Sequence, residues 1–391
     1  MSVITPSVGA VNIDAISSTL AENALWADQN RRLHPDTLAA LGQSGALGLR
    51  TPRRYGGSEV PATELVPTIA AIARHDGAAA WNTAVWSMCA WLAGLFPDHV
   101  QDEVFQSPDS LVCGVLSPTA QGRANGDDLV LDGRWHFISG ALHSSWQVVM
   151  AMSPTPDGES MWPVLALVPM SDLTIVDDWD SAGLRGTGSV TTVADGVRVP
   201  MDRVLPLPMV LQDQFASQQN VQSPVWRTPM MPTGCGSFAG VAVGLAQAAL
   251  AGFTDHVEGR SITYTSYDDA RLAPISHLRA AEAAYLAEES EFHARAIVEA
   301  LQSKGESGEQ WSMSERIKAR AHLGRAFRLA QRSVDGIAEG SGGSSLYSNV
   351  AIQRIRRDVQ ALNLHALMHA DTNAELYGRD LVGLEPNTSY L

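Results

Sequence analysis

Residues 134–146 read RWHFISGALHSSW and end a run that opens with DDLVLDG at 127–133. Trp135 and Phe137 alternate with Arg134 and His136, the period of a strand with two different faces. Ser139 and Gly140 then supply turn chemistry. The stretch gathers Trp135, His136, Phe137, Ser139, His143 and Trp146 within thirteen residues, more rings and polar tips than a plain strand needs. It also marks the place where a helical chain becomes a sheet, and reading outward from it divides the chain into three blocks.

Toward the N-terminus, from about residue 14 to 110, the periodicity is helical: DAISSTLAENALWADQNRRL, PDTLAALGQSGAL and ATELVPTIAAIARHDGAAAWNTAVWSMCAWLAGL, with Gly and Pro between the runs. Around residue 111 short β-branched runs begin: LVCGVLS, WQVVMAM, WPVLALVPM, LTIVDDW and SVTTVADGVRV, separated by Gly, Asp and Pro at the spacing of an antiparallel sheet or barrel. A Pro- and Gln-rich linker with a short helix is expected over 205–230. Four long helices are predicted over 236–258, 275–302, 312–339 and 349–378, with Ile317, Ala321, Gly324 and Phe327 on one buried face. Their length and short connections suggest an antiparallel bundle. The predicted class is α+β: an N-terminal helical domain (1–110), a central antiparallel β-barrel (111–215) and a C-terminal four-helix bundle (216–391).

The 391 residues, 45% hydrophobic and 18% charged, are those of a globular protein with ample core. A formal net charge of -15 opposes binding to phosphate backbones, so no nucleic-acid partner is expected. The opening MSVITPSVGAVNID lacks a basic segment followed by an apolar run, and GSFAGVAVGLAQAALAGF is rich in Gly and Ala, so neither a signal peptide nor a membrane span is expected. Cys89, Cys113 and Cys235 are odd in number and widely spaced, which supports neither a disulfide framework nor a zinc site and fits a reducing cytoplasm. No GxGxxG follows a strand, and Walker A, HExxH and GxSxG are missing, which removes a nicotinamide site and the commonest hydrolases. His365 and His369, spaced i and i+4, would share a helical face, but no third ligand accompanies them and no metal is expected.

Several segments, in this order, resemble the acyl-CoA dehydrogenase fold, and within it the oxygenase component of two-component flavin-dependent monooxygenases. RRLHPDTLAALGQSGALGLRTPRRYGGSEV is similar to the family's N-terminal helices ending in P-x-x-Y-G-G, and RHDGAAAWNTAVWS to the helix that follows. RWHFISGALHSSW resembles the oxygenases' W-x-F-x-SG-x-x-H-x-x-W segment, GLRGTGSVTTVADGVRVPMDRVL their G-x-RGTGS loop and strand, and RIRRDVQALNLH their terminal R-D helix with its histidine. The resemblance spans nearly the whole chain.

The resemblance leaves oxygenase or dehydrogenase to be decided. Acyl-CoA dehydrogenases need a carboxylate base; its two usual places fall here on Ala366 and Gly234. His365 stands beside the first, where the oxygenases carry a histidine facing the flavin. The resemblance therefore implies hydroxylation of an electron-rich aromatic, of phenol or indole type, through a flavin C4a-hydroperoxide, an intermediate that survives only in a dry site with fixed polar partners. The alternative is an acyl-CoA dehydrogenase using bound FAD. Implied co-substrates are FADH2 or FMNH2 and O2, the reduced flavin coming from a separate NAD(P)H-dependent flavin reductase.

Residue by residue, the resemblance makes His365 and Ser139 catalytic: a near-neutral imidazole hydrogen-bonds oxygen or takes a substrate proton, and Ser139 bonds near flavin N5 or O4. Cofactor contacts are expected from Ser117, Trp135, Phe137, Ser139, Arg185, Gly188, Ser189, Gly342 and Gly343, with Arg260, at the end of its helix, pairing with flavin phosphate. Trp81, Trp86, His143 and Trp146 are expected to line the substrate pocket. EGSGGSSLY at 339–347 resembles the turn through which a neighbouring subunit reaches the flavin, which implies a homotetramer, a dimer of dimers.

Overall fold

The computed structural model of the chain describes residues 11–107 and 109–391, so most of the MSVITPSVGAVNID segment and Pro108 lie outside the described residues. The first block is helical throughout: α1 (Ser17–Asn30), α2 (Pro35–Gln43), α3 (Ala62–Ala73), α4 (Gly77–Ala93) and α5 (Asp98–Val104). One long apolar run becomes the two helices α3 and α4 because Asp76 caps the second, its Oδ1 accepting the Ala78 and Ala79 N–H groups at 2.9 and 3.1 Å. Every residue of α4 is buried, so this helix crosses the interior and carries Trp81, Asn82 and Trp86 to the centre of the molecule.

The middle block is one sheet: β1 (Val112–Gly114), β2 (Ala120–Asn125), β3 (Asp128–Ile138), β4 (Trp146–Pro154), β5 (Met161–Pro169), β6 (Thr174–Val176), β7 (Val190–Pro200) and β8 (Val204–Pro206). Strand order is β6-β7-β3-β2-β4-β5-β8, with β1 on β4. Most pairs are antiparallel as expected; β4, however, runs parallel to both β1 and β2, because the 139–145 turn and the strand before it return the chain in the same direction. The period of two sorts the residues of β4: Trp146, Val148 and Met150 pack on the helical core, while Val149 and Ala151 join Leu129, Leu131, Trp135 and Ile138 in a second core of the sheet's own. The register slips between Trp135 and Ile138. That bulge leaves Phe137 at φ 65° and 69% exposed, a costly backbone conformation for a bulky side chain.

Residues 205–230 are packed rather than free: α6 (Leu207–Leu211) and two short turns lead to Trp226, whose Nε1 donates to the Trp91 carbonyl while Trp91 Nε1 donates to that of Val225. The last block holds α7 (Met230–His256), α8 (Pro274–Ser307), α9 (Met313–Gly340), α10 (Ala351–Leu362) and α11 (Ala370–Leu381). α7 is long and apolar enough to cross a membrane, but most of its apolar stretch is buried inside the protein, as in a core helix.

The fourth long helix predicted over 349–378 is two helices with a turn at 363–369 between them. Side chains, not Gly or Pro, make the break. Asn363 Nδ2 folds back onto the Val359 carbonyl at 2.8 Å, Asn373 Nδ2 holds the Leu367 carbonyl at 2.7 Å, and His369 caps α11 by accepting the Thr372 N–H. His365 and His369 therefore do not share a helical face.

Candidate active site

Two helices meet at the turn that carries His365, and two turns of the sheet pack on the first of them. α4 brings Trp81 and α7 brings Phe238: the Trp81 and Phe238 rings stack at 5.0 Å, and the His365 imidazole meets Trp81 edge-on at 5.4 Å and Phe238 at 6.5 Å. From the sheet come the Ser139–Ser144 turn and the Leu184–Ser189 turn. His365 as a residue is exposed, while its ring is crowded by Trp81 and Phe238, and desolvation alone lowers its pKa to about 4. It is neutral at pH 7. Its Nδ1 accepts the Leu367 N–H at 3.2 Å, so the ring proton sits on Nε2, which is left as a hydrogen-bond donor.

Ser139 is buried against α4: Trp81 Nε1 donates to its Oγ at 2.8 Å, and its Oγ lies 2.7 Å from Ser189 Oγ, which in turn lies 2.6 Å from Thr187 Oγ1. Asn82 Nδ2 donates to the Thr187 carbonyl at 3.1 Å. Gly140 must adopt φ 74°, and a Cβ there would meet Trp86 Nε1 at 2.4 Å, so only glycine lets the turn lie on that indole. His143 meets Trp86 edge-on at 6.3 Å; its Nε2 is buried without a partner, as is Asn82 Oδ1.

Phosphate-binding candidates gather elsewhere on the helical block. Arg260 lies in the loop after α7, four residues beyond its last helical residue, not at its end. Its Nη1 donates to the Ser341 carbonyl. Gly342, φ 70°, lies against the same guanidinium; a Cβ would fall 1.8 Å from Arg260 Nη2. Gly343 opens the following turn. The structure thus joins Arg260, Gly342 and Gly343, far apart in sequence, in one place.

Other expected contacts fall differently. Trp135 is 0% exposed, inside the sheet's own core, with Nε1 donating to the Met150 carbonyl; the bulge turns Phe137 outward instead, 6.0 Å from Trp179. Arg185 is already committed to the Asp28 and Ser181 carbonyls and to Asp180, a clamp between α1 and its own loop. Trp146 lies under the Arg203 guanidinium at 5.0 Å and is not among the rings around His365. Ser117 is on an exposed loop between β1 and β2. Gly188 takes φ 55° between Thr187 and Ser189. Phe238, Asn82, Thr187 and Asp358 were not singled out by sequence. Thr187 lay in the quoted RGTGS segment and Asp358 in RIRRD, whereas nothing local marks Phe238.

These are the kinds of group that hold a planar heteroaromatic and a phosphate arm: Phe137 has an exposed ring face, Ser139, His143 and Asn82 carry buried polar atoms, and Arg260, in its separate place on the helical block, has a planar fork.

The acyl-CoA dehydrogenase N-terminal domain model matches residues 14–103 and the acyl-CoA dehydrogenase C-terminal domain model residues 237–370, together more than half the chain. The chain is 29% identical over 387 residues to the oxygenase component of an FADH(2)-dependent resorcinol hydroxylase from Rhizobium sp. (strain MTP-10005), covering 97% of this chain and 95% of that one. The crystal structure of 3-HSA hydroxylase from Rhodococcus sp. RHA1 superposes with a TM-score of 0.91 at 26% identity, covering 97% of each chain. XiaF from Streptomyces sp., in complex with FADH2 and glycerol, gives 0.90 at 26%, covering 96% of this chain and 95% of that one. The oxygenase components of flavin-dependent monooxygenases are thus among the proteins this chain is similar to over nearly its whole length, and the chain belongs to the acyl-CoA dehydrogenase family.

Proposed function

We propose that this protein hydroxylates a small electron-rich aromatic, of phenol or indole type, with O2 and with FADH2 or FMNH2 delivered by a separate NAD(P)H-dependent flavin reductase. One observation carries the reading: the His365 imidazole stands edge-on to Trp81 and beside Phe238, a setting whose desolvation favours the neutral ring. α,β-Desaturation of an acyl-CoA needs a carboxylate there, and Ala366 and Gly234 occupy the positions where relatives carry it.

Reduced flavin, when bound, supplies the electrons that activate dioxygen. The chain's own residues do the rest. Trp81 and Phe238 keep water from the reacting face. His365 Nε2–H is a donor to an oxygen atom in the recess, and, neutral at pH 7, the ring is also able to take up a phenolic proton. Ser139 anchors the flavin ring edge, Phe137 packs on it, and Arg260 with the Gly342–Gly343 turn holds phosphate. His143 Nε2 and Trp86 face the aromatic substrate. The exposed Leu346 and Tyr347 of the same turn, and the apolar face of α8 with Leu278, Tyr285 and Phe292 exposed, support assembly as a homotetramer, a dimer of dimers.

The test supplies the protein with a flavin reductase, NADH, FAD and air, and surveys phenols and indoles by mass spectrometry. A hydroxylated product is expected. No product from any of them, together with bleaching of bound FAD by an acyl-CoA, would contradict the reading.

A further inference from the structure

A chain of hydrogen bonds runs from Trp81 Nε1 through Ser139 Oγ, Ser189 Oγ and Thr187 Oγ1 to the Leu184 carbonyl, with links of 2.8, 2.7, 2.6 and 2.8 Å. Its ends have no freedom, since an indole N–H only donates and a carbonyl only accepts. The single hydroxyl hydrogen of Thr187 is therefore committed to Leu184, that of Ser189 to Thr187, and that of Ser139 to Ser189. No other assignment makes every link a hydrogen bond. Ser139, Ser189 and Thr187 are all buried, so water does not relax the order. The receiving end is itself pinned: the Leu184 N–H donates to Asp358 Oδ1 at 2.6 Å, its carbonyl also accepts Trp179 Nε1 at 3.1 Å, and Asn82 holds the Thr187 backbone.

The hydroxyl of Ser139 has one capacity left, a lone pair, and toward a ligand it acts as an acceptor only. Flavin changes character at N5 on reduction, from a bare nitrogen that accepts to an N–H that donates. An acceptor-only hydroxyl pairs with the second and opposes the first. We propose that Thr187 and Ser189 are positioning residues that act through Ser139, locking its hydroxyl as an acceptor so that the recess selects reduced over oxidised flavin. The inference rests on the flavin-binding reading above. It adds a source for redox selectivity in two residues that need not touch the ring.

Cutting the chain reverses the polarity. In Thr187→Val the Ser189 hydrogen turns back to Ser139, and in Ser189→Ala the Ser139 hydrogen loses its acceptor; both free the Ser139 hydrogen for the ligand. Thr187→Ser keeps the hydroxyl and the order. Anaerobic equilibrium titrations with FADH2, and parallel titrations with FAD, give the ratio of the two dissociation constants for each form. The wild type and Thr187→Ser should favour FADH2, and Thr187→Val and Ser189→Ala should each lower that preference by about tenfold, the scale of one buried hydrogen bond gained or lost. A purely structural role would weaken both flavins alike and leave the ratio where it was, and that result in the two cutting variants overturns the proposal. Because they sever different links, either one suffices. Failure of the wild type to bind either flavin would remove the functional reading as well, whereas binding by all forms with one unchanged ratio removes only the relay.

Discussion

Asp358→Asn should erase a loss of stability that the wild type suffers as pH rises from about 4 to 7. The Asp358 carboxyl is 2% exposed, accepts the Leu184 N–H, and is pushed up from 3.8 to about 7, chiefly by burial and further by Asp76 and Asp28, against the lowering effects of that hydrogen bond and of Arg354. In the unfolded chain the group gives up its proton near 3.8; in the folded chain it holds it to about 7. Between those values the folded state binds more protons, so unfolding releases one and stability falls as pH rises, levelling off above about 7. A shift of about three units corresponds to roughly 4 kcal/mol at full strength, and the mutual influence of the nearby carboxyls makes about 2–4 kcal/mol the working range. Asparagine keeps the acceptor for Leu184 and has no charge to bury. Guanidinium unfolding of both forms at about pH 5 and about pH 8 isolates the group, since the remaining ionisations are common to the two proteins. Of that total only the part between pH 5 and about 7 falls inside the two measurements, so the variant should gain about 1–2.5 kcal/mol on the wild type between the two pH values. Parallel pH dependences would refute the reasoning.

Three further outcomes follow from the geometry. Gly140→Ala forces a side chain into φ 74° and onto Trp86 Nε1, and should cost roughly 3 kcal/mol in unfolding free energy, measured as a lowered Tm. Arg260→Ala should weaken FMN or FAD about tenfold or more while leaving riboflavin, which has no phosphate, unchanged in an equilibrium titration. Trp226→Ala, at a fully buried indole bonded to the Trp91 carbonyl, should cost about 3–5 kcal/mol in the same unfolding assay, showing that residues 205–230 belong to the core.

The three-block architecture was legible because periodicity changes type at residue 111 and again past 230, and burial enforces those periods over many residues. The exception at 363–369 is instructive. The apolar pattern of RIRRDVQALNLHALMHADTNAELYG continues at helical spacing, and the break depends on Asn363, Asn373 and His369 finding backbone partners that a one-dimensional reading does not supply. Within 134–146 alternation alone would send Trp135 and Phe137 to the same face. The bulge separates them, and the ring that reaches open space is Phe137. His365 and Ser139 are candidates singled out by resemblance to known motifs. Phe238 and the order of the hydroxyl chain depend on contacts between residues more than a hundred positions apart or on the bonding of atoms in three dimensions, which leave no periodic trace. Arg185 shows the converse: it lies in a recognisable motif, yet its Nε and Nη1 are already held by Asp28, Asp180 and Ser181.

The central claim is that His365, set against Trp81 and Phe238 and beside Ala366 where a dehydrogenase would carry its carboxylate, serves oxygen transfer to an aromatic ring. Single-turnover reactions with FADH2, a phenol that the enzyme accepts and 18O2 test it most directly when wild type and His365→Leu are compared. The wild type should place one heavy oxygen atom in the phenolic product, and the variant should bind flavin but release the oxygen as hydrogen peroxide with little product. Equal labelled product from both forms, or product oxygen drawn from water, would contradict the account.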